Sequence, residues 1–500
     1  MNRLIVLLAL VCIAGVACGQ EVSWQLVMDN DGNEGRTMRE MTSAEFLAQR
    51  MGPLANSQLD CIMYCTNATF GLATRKSAVW QMRDYAQSGQ DGYDIAKLVE
   101  AGVDPLQVTV EFGKQHGIRV FNSIRMNDIH DHNFNTTYAK PLFEHNEWKQ
   151  NHQDWLLSTQ SDRSRTVAWS AVNYAIPDVQ EKMLAFVQEA VTQYDLDGVS
   201  LDFFRHPVFF RSTFEGRECT DAERAAMTSV LRRACDMIES ESERRGRKMQ
   251  LAIRVPDSLE YCHDIGLDLE LWLNEGWIDL LTVSGYFRLN EWDYSGRLGL
   301  EYSVPVLASL DESRVKDERA QLARSTVESY LGRAAAAREA GLKGVVTFNL
   351  FDPDSPVFHQ LGDPEVWPGL PKDYYASGRS VSRANGGNLP YASYRNSETL
   401  NPSNPIAIQP GETATVAITV SGKCKLTRRL RIRLDRNVPP DVVWVTINGR
   451  DVEMQSGEDH WLVSSARLNG EATKQVVAVG LTQGTKPVQW LDAMIRESEQ

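Results

Sequence analysis

Eight short runs rich in aliphatic and β-branched residues recur between residues 23 and 350, and most are separated by stretches of helical periodicity. They fall at 23–28, 60–65, 118–124, 197–202, 250–255, 279–284, 302–307 and 344–350. Strands that alternate with helices are joined by crossovers, run parallel and need cover on both faces. Eight such units, spread over roughly 350 residues, predict an α/β fold, a (β/α)8 TIM barrel with insertions. An open doubly wound sheet is disfavoured, because no glycine-rich phosphate fingerprint follows any of the runs.

The intervening helices carry their own signals. Residues 177–194 open on a proline and place Met183, Phe186, Val187, Ala190 and Val191 on one face. Residues 221–245 and 318–340 read as further long helices. At residue 377 the pattern changes: 377–388 is a glycine-, serine- and asparagine-rich linker, and beyond it come alternating runs at 413–420, 430–434, 442–447 and 475–481. Those runs, with turn residues between them, predict a β-sandwich over 389–500.

An apolar run at residues 4–17 follows Arg3 and ends at Ala17-Cys18-Gly19-Gln20. It reads as a signal peptide over 1–19, which leaves a barrel domain at 20–376 and predicts an exported protein, periplasmic or extracellular. A lipidated Cys18 that anchors the chain is the alternative, and the run is too short for a permanent membrane span. The net charge of −14 and pI of about 5.3 exclude a nucleic-acid or anionic-membrane partner, since either needs a basic field. Six cysteines, Cys61, Cys65, Cys219, Cys235, Cys262 and Cys424, remain after the signal. They are few for an exported chain and lack zinc spacing, so they read as buried hydrophobes with room for one bridge.

Active sites of such barrels lie at the carboxyl ends of the strands. The third run ends in Arg125-Met126-Asn127-Asp128-Ile129-His130-Asp131-His132, which packs one arginine, two carboxylates and two imidazoles into eight positions. Other ends carry Asp29 and Asp31, Asp202 and Arg205, Arg254 and Asp257, Tyr286, and Asn349. Arginine pairs bidentately with a carboxylate or sulfate, so Arg125 and Arg205 in an acidic protein point to an anionic ligand. Arg254 reads first as a partner of a neighbouring aspartate. His130 beside Asp128 can carry a proton at neutral pH. A metal held by Asp128, Asp131 and the two histidines is a lesser alternative, since no other strand end supplies a complementary ligand set. The stretch from Asp197 to Phe204 resembles a chitinase strand motif, but Phe204 stands where the catalytic glutamate would be, which excludes that chemistry.

Asn30-Asp31-Gly32, Ser123 through Asp131, and Asp197-Gly198 through Asp202, Arg205 and Pro207 together resemble bacterial glycosyl-hydrolase-like barrel proteins, and among them glycoside hydrolase family 156, the inverting exo-sialidases. The resemblance covers roughly residues 22 to 375. It implies a barrel with a β-sandwich appendage, a homodimer, no cofactor and no metal, and hydrolysis of terminal α-linked sialic acid from sialylated glycans. It also implies that Arg125 and Arg205 bind the sugar carboxylate, that Asn349 contacts the sugar near the anomeric centre, and that Asp128, His130 and an acid after the first strand are active-site residues.

The physical chemistry of the substrate is compatible. A sialoside bears a carboxylate on its anomeric carbon, so arginines bind it and bare carboxylates repel it. An inverting route needs an acid for the leaving oxygen and a base for water on the other face. His130, oriented by Asp128, is expected to be one and Asp31 the other, with Asp29 the alternative to Asp31 and the two roles unassigned. Asn127, within the cluster, joins Arg125, Arg205 and Asn349 as a substrate-binding residue. Hydrolysis of a uronic or sulfated glycan, a non-catalytic glycan-binding barrel, and an envelope structural protein are the other classes the sequence leaves open.

Overall fold

The computed structural model describes residues 24–32, 42–83, 95–132, 142–159, 161, 167–310, 315–348, 350, 352–376, 389, 391–468 and 472–499. The expected signal segment 1–19 with Cys18, and the linker 377–388, lie outside the described residues.

The alternating runs form β1 (Leu26–Asn30), β2 (Cys61–Cys65), β3 (Arg119–Arg125), β4 (Gly198–Asp202), β5 (Gln250–Val255), β6 (Leu280–Val283), β7 (Val306–Leu310) and β8 (Gly344–Phe348). Each pairs in parallel with the next, and β8 pairs back with β1, so the sheet closes into a (β/α)8 barrel. The crossover helices include α1 (Pro105–His116), α2 (Pro177–Gln193), α3 (Asp221–Arg245) and α4 (Val327–Glu339). Their ends follow from sequence: Asp104 caps α1 through its side chain, and Thr220 with Glu223 forms a capping box on α3.

The first strand, expected at 23–28, runs Leu26–Asn30, and two later elements shift for reasons the chain shows. The seventh strand, expected at 302–307, begins at Val306, because Tyr302 still donates to Leu298 O at the end of helix Trp292–Glu301 and Ser303 turns the chain with φ 52°. The single helix expected at 318–340 is two, Glu318–Arg324 and α4. Thr326 leaves the helical conformation and caps the second through Ser329 N–H.

Side chains alternate across a strand, so every second residue points into the barrel. Toward the amino ends the interior is apolar: Trp24, Val27, Cys61, Met63, Phe121, Ala252, Leu280, Leu307 and Val346 form one buried cluster. Two positions further along, Val27, Ala252, Leu280 and Leu307 give way to Asp29, Arg254, Thr282 and Ser309. Arg125 stands four positions beyond Phe121. In register, Arg125 lies beside Asp202 and Asp202 beside Arg254. The barrel is therefore a greasy plug capped by a charged layer at the end where loops can reach it.

The carboxy-terminal region is a pair of antiparallel sheets. One runs in the order Lys372–Tyr375, Val488–Ser498, Thr427–Leu434, Trp461–Ser464, Met454–Ser456, with Ile406–Ile408 also on Val488–Ser498. The other runs Thr413–Thr419, Lys474–Leu481, Val443–Ile447, Arg450–Asp451. Alternation again explains the packing: Leu430, Ile432 and Leu434 of one sheet and Val416, Val445, Val477 and Val479 of the other are buried. The strand Lys372–Tyr375 precedes residue 377, so the sandwich takes one strand from the chain before the linker. Helix α4 lies against that strand so closely that a Cβ on Gly332 would sit 2.1 Å from the Asp373 carbonyl oxygen. Arg324 on the barrel side holds Asp492 on the sandwich side through both guanidinium nitrogens, at 2.8 and 2.9 Å, with both side chains buried.

The six cysteines are free thiols, five of them buried. Among the described residues no helix is long and apolar enough to cross a membrane.

Candidate active site

The charged layer is built outward from β3. Arg125 is its last residue and is 4% exposed. Its Nη1 donates to Asp128 Oδ2 at 2.9 Å, and Nη2 lies 3.9 Å from Asp31 at the end of β1. Asp128 is fully buried, and its other oxygen accepts from both the backbone N–H and Nδ1 of His130, at 2.9 and 2.6 Å. Burial opposes ionisation of Asp128, yet His130 and Arg125 hold its carboxyl well below the usual range.

The far nitrogen of the His130 ring faces a donor that can only donate. Arg205 Nη2 stands 2.6 Å from Nε2, so Nε2 accepts and the proton of the neutral ring sits on Nδ1, toward Asp128. Burial and the neighbouring Arg205 outweigh the Asp128 carboxylate and push the imidazole down to about 4. The side chain nevertheless keeps 36% exposure, so its edge is reachable from the mouth.

Arg205 itself is set by β4. Asp202 accepts from the N–H groups of Phe204 and Arg205 through one carboxylate oxygen, at 2.8 and 2.9 Å, which folds the turn that aims the guanidinium. Asp202 thus both supports the turn and orients its neighbour Arg205. The Arg205 guanidinium lies 4.4 Å from the centre of the Tyr286 ring. It has no carboxylate partner among the described residues, whereas Arg125 has Asp128 and Arg254 has Asp29 at 2.7 Å.

That last pair answers the expectation for Arg254: it is a buried brace across the barrel, joined also to Ser309 Oγ at 3.0 Å and Ser284 O at 3.3 Å. Its partner Asp29 is not a simple carboxylate. Burial, assisted by Asp202, lifts its carboxyl to about 6 although Arg254 opposes the shift. Asp257 serves structure, accepting from the N–H groups of Leu289 and Asn290 at 2.9 and 2.8 Å.

The rest of the sequence cluster divides. Asp131 is buried on Lys149 Nζ at 2.8 Å and on Ser170 Oγ at 2.8 Å, and Lys149 also reaches Thr69 and the Ser170 carbonyl. His132 donates from Nδ1 to Ile129 O. Both hold the loop, and among the described residues no group of three or more His, Cys, Asp or Glu side chains is placed to hold a metal ion. Asn127, expected at the substrate, has its amide committed to main chain: Nδ2 donates to Val172 O and Val208 O at 2.9 and 2.6 Å, and Oδ1 accepts from Val172 N. Its polar atoms knit two loops because the side chain points under the cluster. Asn349 lies outside the described residues.

Two neighbours were not among the expected site residues. His206 is buried, accepts from Ile129 N–H at 3.3 Å and presents its ring edge-on to His130 at 5.4 Å. Its only sequence signal is adjacency to Arg205. Lys149, on the short helix Glu147–Asn151, gives no signal at all.

Residues 52–224 match the family described as glycosyl hydrolase-like 10, a span that holds Arg125, Asp128, His130, Asp202 and Arg205 but ends before Arg254 and Tyr286. No curated protein sequence matches the chain. Among solved structures, it is similar to alpha-L-fucosidase isoenzyme 2 from Paenibacillus thiaminolyticus, with 13% identity, TM-score 0.44, and coverage of 70% of this chain and 51% of that one. It is also similar to chitinase ChiA74 from Bacillus thuringiensis, with 11% identity, TM-score 0.39, and coverage of 95% of this chain and all of the other. The chain spans about half the length of the fucosidase. At this distance the likenesses say nothing of substrate. The glycosyl-hydrolase-like grouping is thus matched over part of the barrel, and the narrower family 156 resemblance rests on the residues themselves.

Proposed function

We propose that this protein is an exo-acting glycoside hydrolase that releases terminal α-linked sialic acid with inversion. The observation that carries the reading is Arg205, a guanidinium beside the mouth that among the described residues lacks a carboxylate and instead rests on the acceptor nitrogen of a His130 ring backed by Asp128. An anion that entered would offer Arg205 a far better, bidentate partner than an imidazole. Its departure would uncover Nε2 next to the bound sugar. Substrate binding and base activation are then one movement, and a sugar with its carboxylate on the anomeric carbon places that anion beside the reacting bond.

The protonation preferences support one division of the roles that sequence left open, with Asp29 rather than Asp31 as the acid. His130, depressed to about 4, is unprotonated at neutral pH and acts as the general base. It takes a proton from water as the water oxygen bonds to the anomeric carbon, and Asp128 stabilises the imidazolium. The glycosidic bond breaks on the opposite face, and the leaving oxygen takes a proton from Asp29, whose carboxyl at about 6 holds one in mildly acidic solution. Asp31, 3.9 Å from Arg125, is the other acid at the end of β1 and is separated from Asp29 by single amide replacements. The products are free sialic acid and the shortened glycan.

Incubation with an α-sialoside bearing a chromogenic leaving group, followed by proton NMR from the first minutes, tests the reading. β-Sialic acid appearing first supports it. α-Sialic acid first makes the reaction retaining and removes the His130–Asp29 pairing, and no release rejects the sialoside substrate in favour of uronic or sulfated glycans.

A further inference from the structure

Tyr286 follows β6 at the same end of the barrel as the charged layer. The turn that delivers it is built for one purpose. Ser284 has φ 67° and Gly285 φ 135°, and a Cβ on Gly285 would stand 2.1 Å from Arg254 Nη2, so only glycine can bring the chain over that guanidinium. Ser284 Oγ locks the turn on Phe287 O at 2.6 Å. The ring is then wedged between Phe204 at 5.9 Å and Phe348 at 5.0 Å, with Arg205 4.4 Å and Arg254 5.6 Å from its centre.

Tyr286 is 2% exposed, yet its hydroxyl has no hydrogen-bond partner among the described residues. A buried polar group left without a partner is costly, so this hydroxyl calls for one that the described residues do not supply. Burial, assisted by Asp202, pushes the phenol above its ordinary range against the pull of Arg205, Arg125 and Arg254, so it stays neutral and carries a proton to give. Guanidinium groups only donate. The hydroxyl therefore sits beside three guanidinium groups that cannot receive its proton, and Asp202, the carboxylate that acts on it, makes no hydrogen bond to it among the described residues.

We infer that the Tyr286 hydroxyl donates a hydrogen bond to the anionic group of the bound sugar, the group that Arg205 grips, and so is a specificity-determining residue that sequence and family likeness leave unassigned. The inference rests on the anionic-sugar reading above and adds a neutral donor to a site otherwise made of charges. Such a donor rewards an acceptor oxygen fixed in direction, which distinguishes a carboxylate held in one pose from a diffuse negative charge.

The test compares wild type with Tyr286→Phe. Binding of N-acetylneuraminic acid, glucuronic acid and galactose 6-sulfate is measured by calorimetry, together with thermal unfolding and, where there is turnover, KM and kcat. The expected result is an unchanged or raised melting temperature with binding weakened about 10- to 100-fold and the loss carried by KM. Sialic acid bound equally well by both proteins overturns the role of Tyr286 and leaves the sialidase reading standing. Binding of only glucuronic acid or the sulfate, weakened in Tyr286→Phe, keeps the role and rejects the sialoside. No binding of any of the three by wild type rejects both. A kcat fall of about a thousandfold at constant KM would instead place the phenol in bond-making or proton transfer and overturn the binding role.

Discussion

The pH dependence of kcat/KM reports directly on the two groups to which proton transfer is assigned. His130 must be unprotonated and is depressed to about 4; Asp29 must be protonated and is raised to about 6. Activity is therefore lost as pH falls through the first value and as it rises through the second. The fraction of enzyme in the working form is about 0.83 at pH 5 and about 0.09 at both pH 3 and pH 7, so kcat/KM should peak near 5 and fall about ninefold two units to either side. Because the His130 side chain keeps 36% exposure, solvent relieves part of its depression, and the acid limb lies at or slightly above 4. The assay is initial-rate hydrolysis of an aryl α-sialoside at substrate concentrations far below KM, from pH 3 to 8, with a stability check at each pH. Asp29→Asn removes the alkaline limb, and because an aryl leaving group needs little protonation, it retains measurable turnover on this substrate while failing on an alkyl sialoside. A wild-type profile that is flat or rising from pH 4 to 7, or an alkaline limb that survives in Asp29→Asn, refutes the assignment; in the latter case Asp31→Asn identifies the acid.

Arg205→Gln should lower kcat/KM about 10- to 150-fold, the value of a hydrogen bond to a charged group, and should move the acid limb upward because a cation beside His130 is gone, as the pH profile of the variant will show. Asp128→Ala leaves Arg125 buried without its carboxylate and is expected to cost about 3–5 kcal/mol of barrel stability by urea unfolding, as well as turnover. Lys149→Met strands Asp131 in the same way and should cost a similar few kcal/mol, with the pH profile of the surviving enzyme unmoved. Gly332→Ala forces α4 off the strand Lys372–Tyr375 and should lower stability by about 1–3 kcal/mol without altering KM.

The barrel was legible because its evidence is periodic and local: eight alternating runs sufficed, and Gln250–Val255 and Asp221–Arg245 fall where the pattern puts them. The seventh strand was not, since the aliphatic pattern runs through Tyr302 while the chain is still leaving a helix. In the site, residue density announced the cluster after β3 but not its division of labour. Arg125, Asp128 and His130 join at the mouth, whereas Asn127 and Asp131, in the same eight positions, hold loops together. Which is which depends on partners far along the chain: Lys149 for Asp131, Val208 for Asn127, Arg205 for His130. The Asp29–Arg254 brace spans 225 positions, and no local pattern encodes it. Tyr286 follows a strand end as the others do, but what sets it apart is a buried hydroxyl with no hydrogen-bond partner among the described residues, which only the fold reveals.

The strand Val488–Ser498 sits at the centre of its sheet, bonded to Thr427–Leu434, to Ile406–Ile408 and to Lys372–Tyr375. During synthesis all three neighbours emerge before it does. The barrel can close while they wait, each with an open edge, for a strand made more than 110 positions after Lys372–Tyr375. Until it arrives, Arg324 also lacks Asp492. In that interval the waiting sandwich edges are open to mispairing, as the edge of β1 is until β8 arrives, and a chaperone would matter at both.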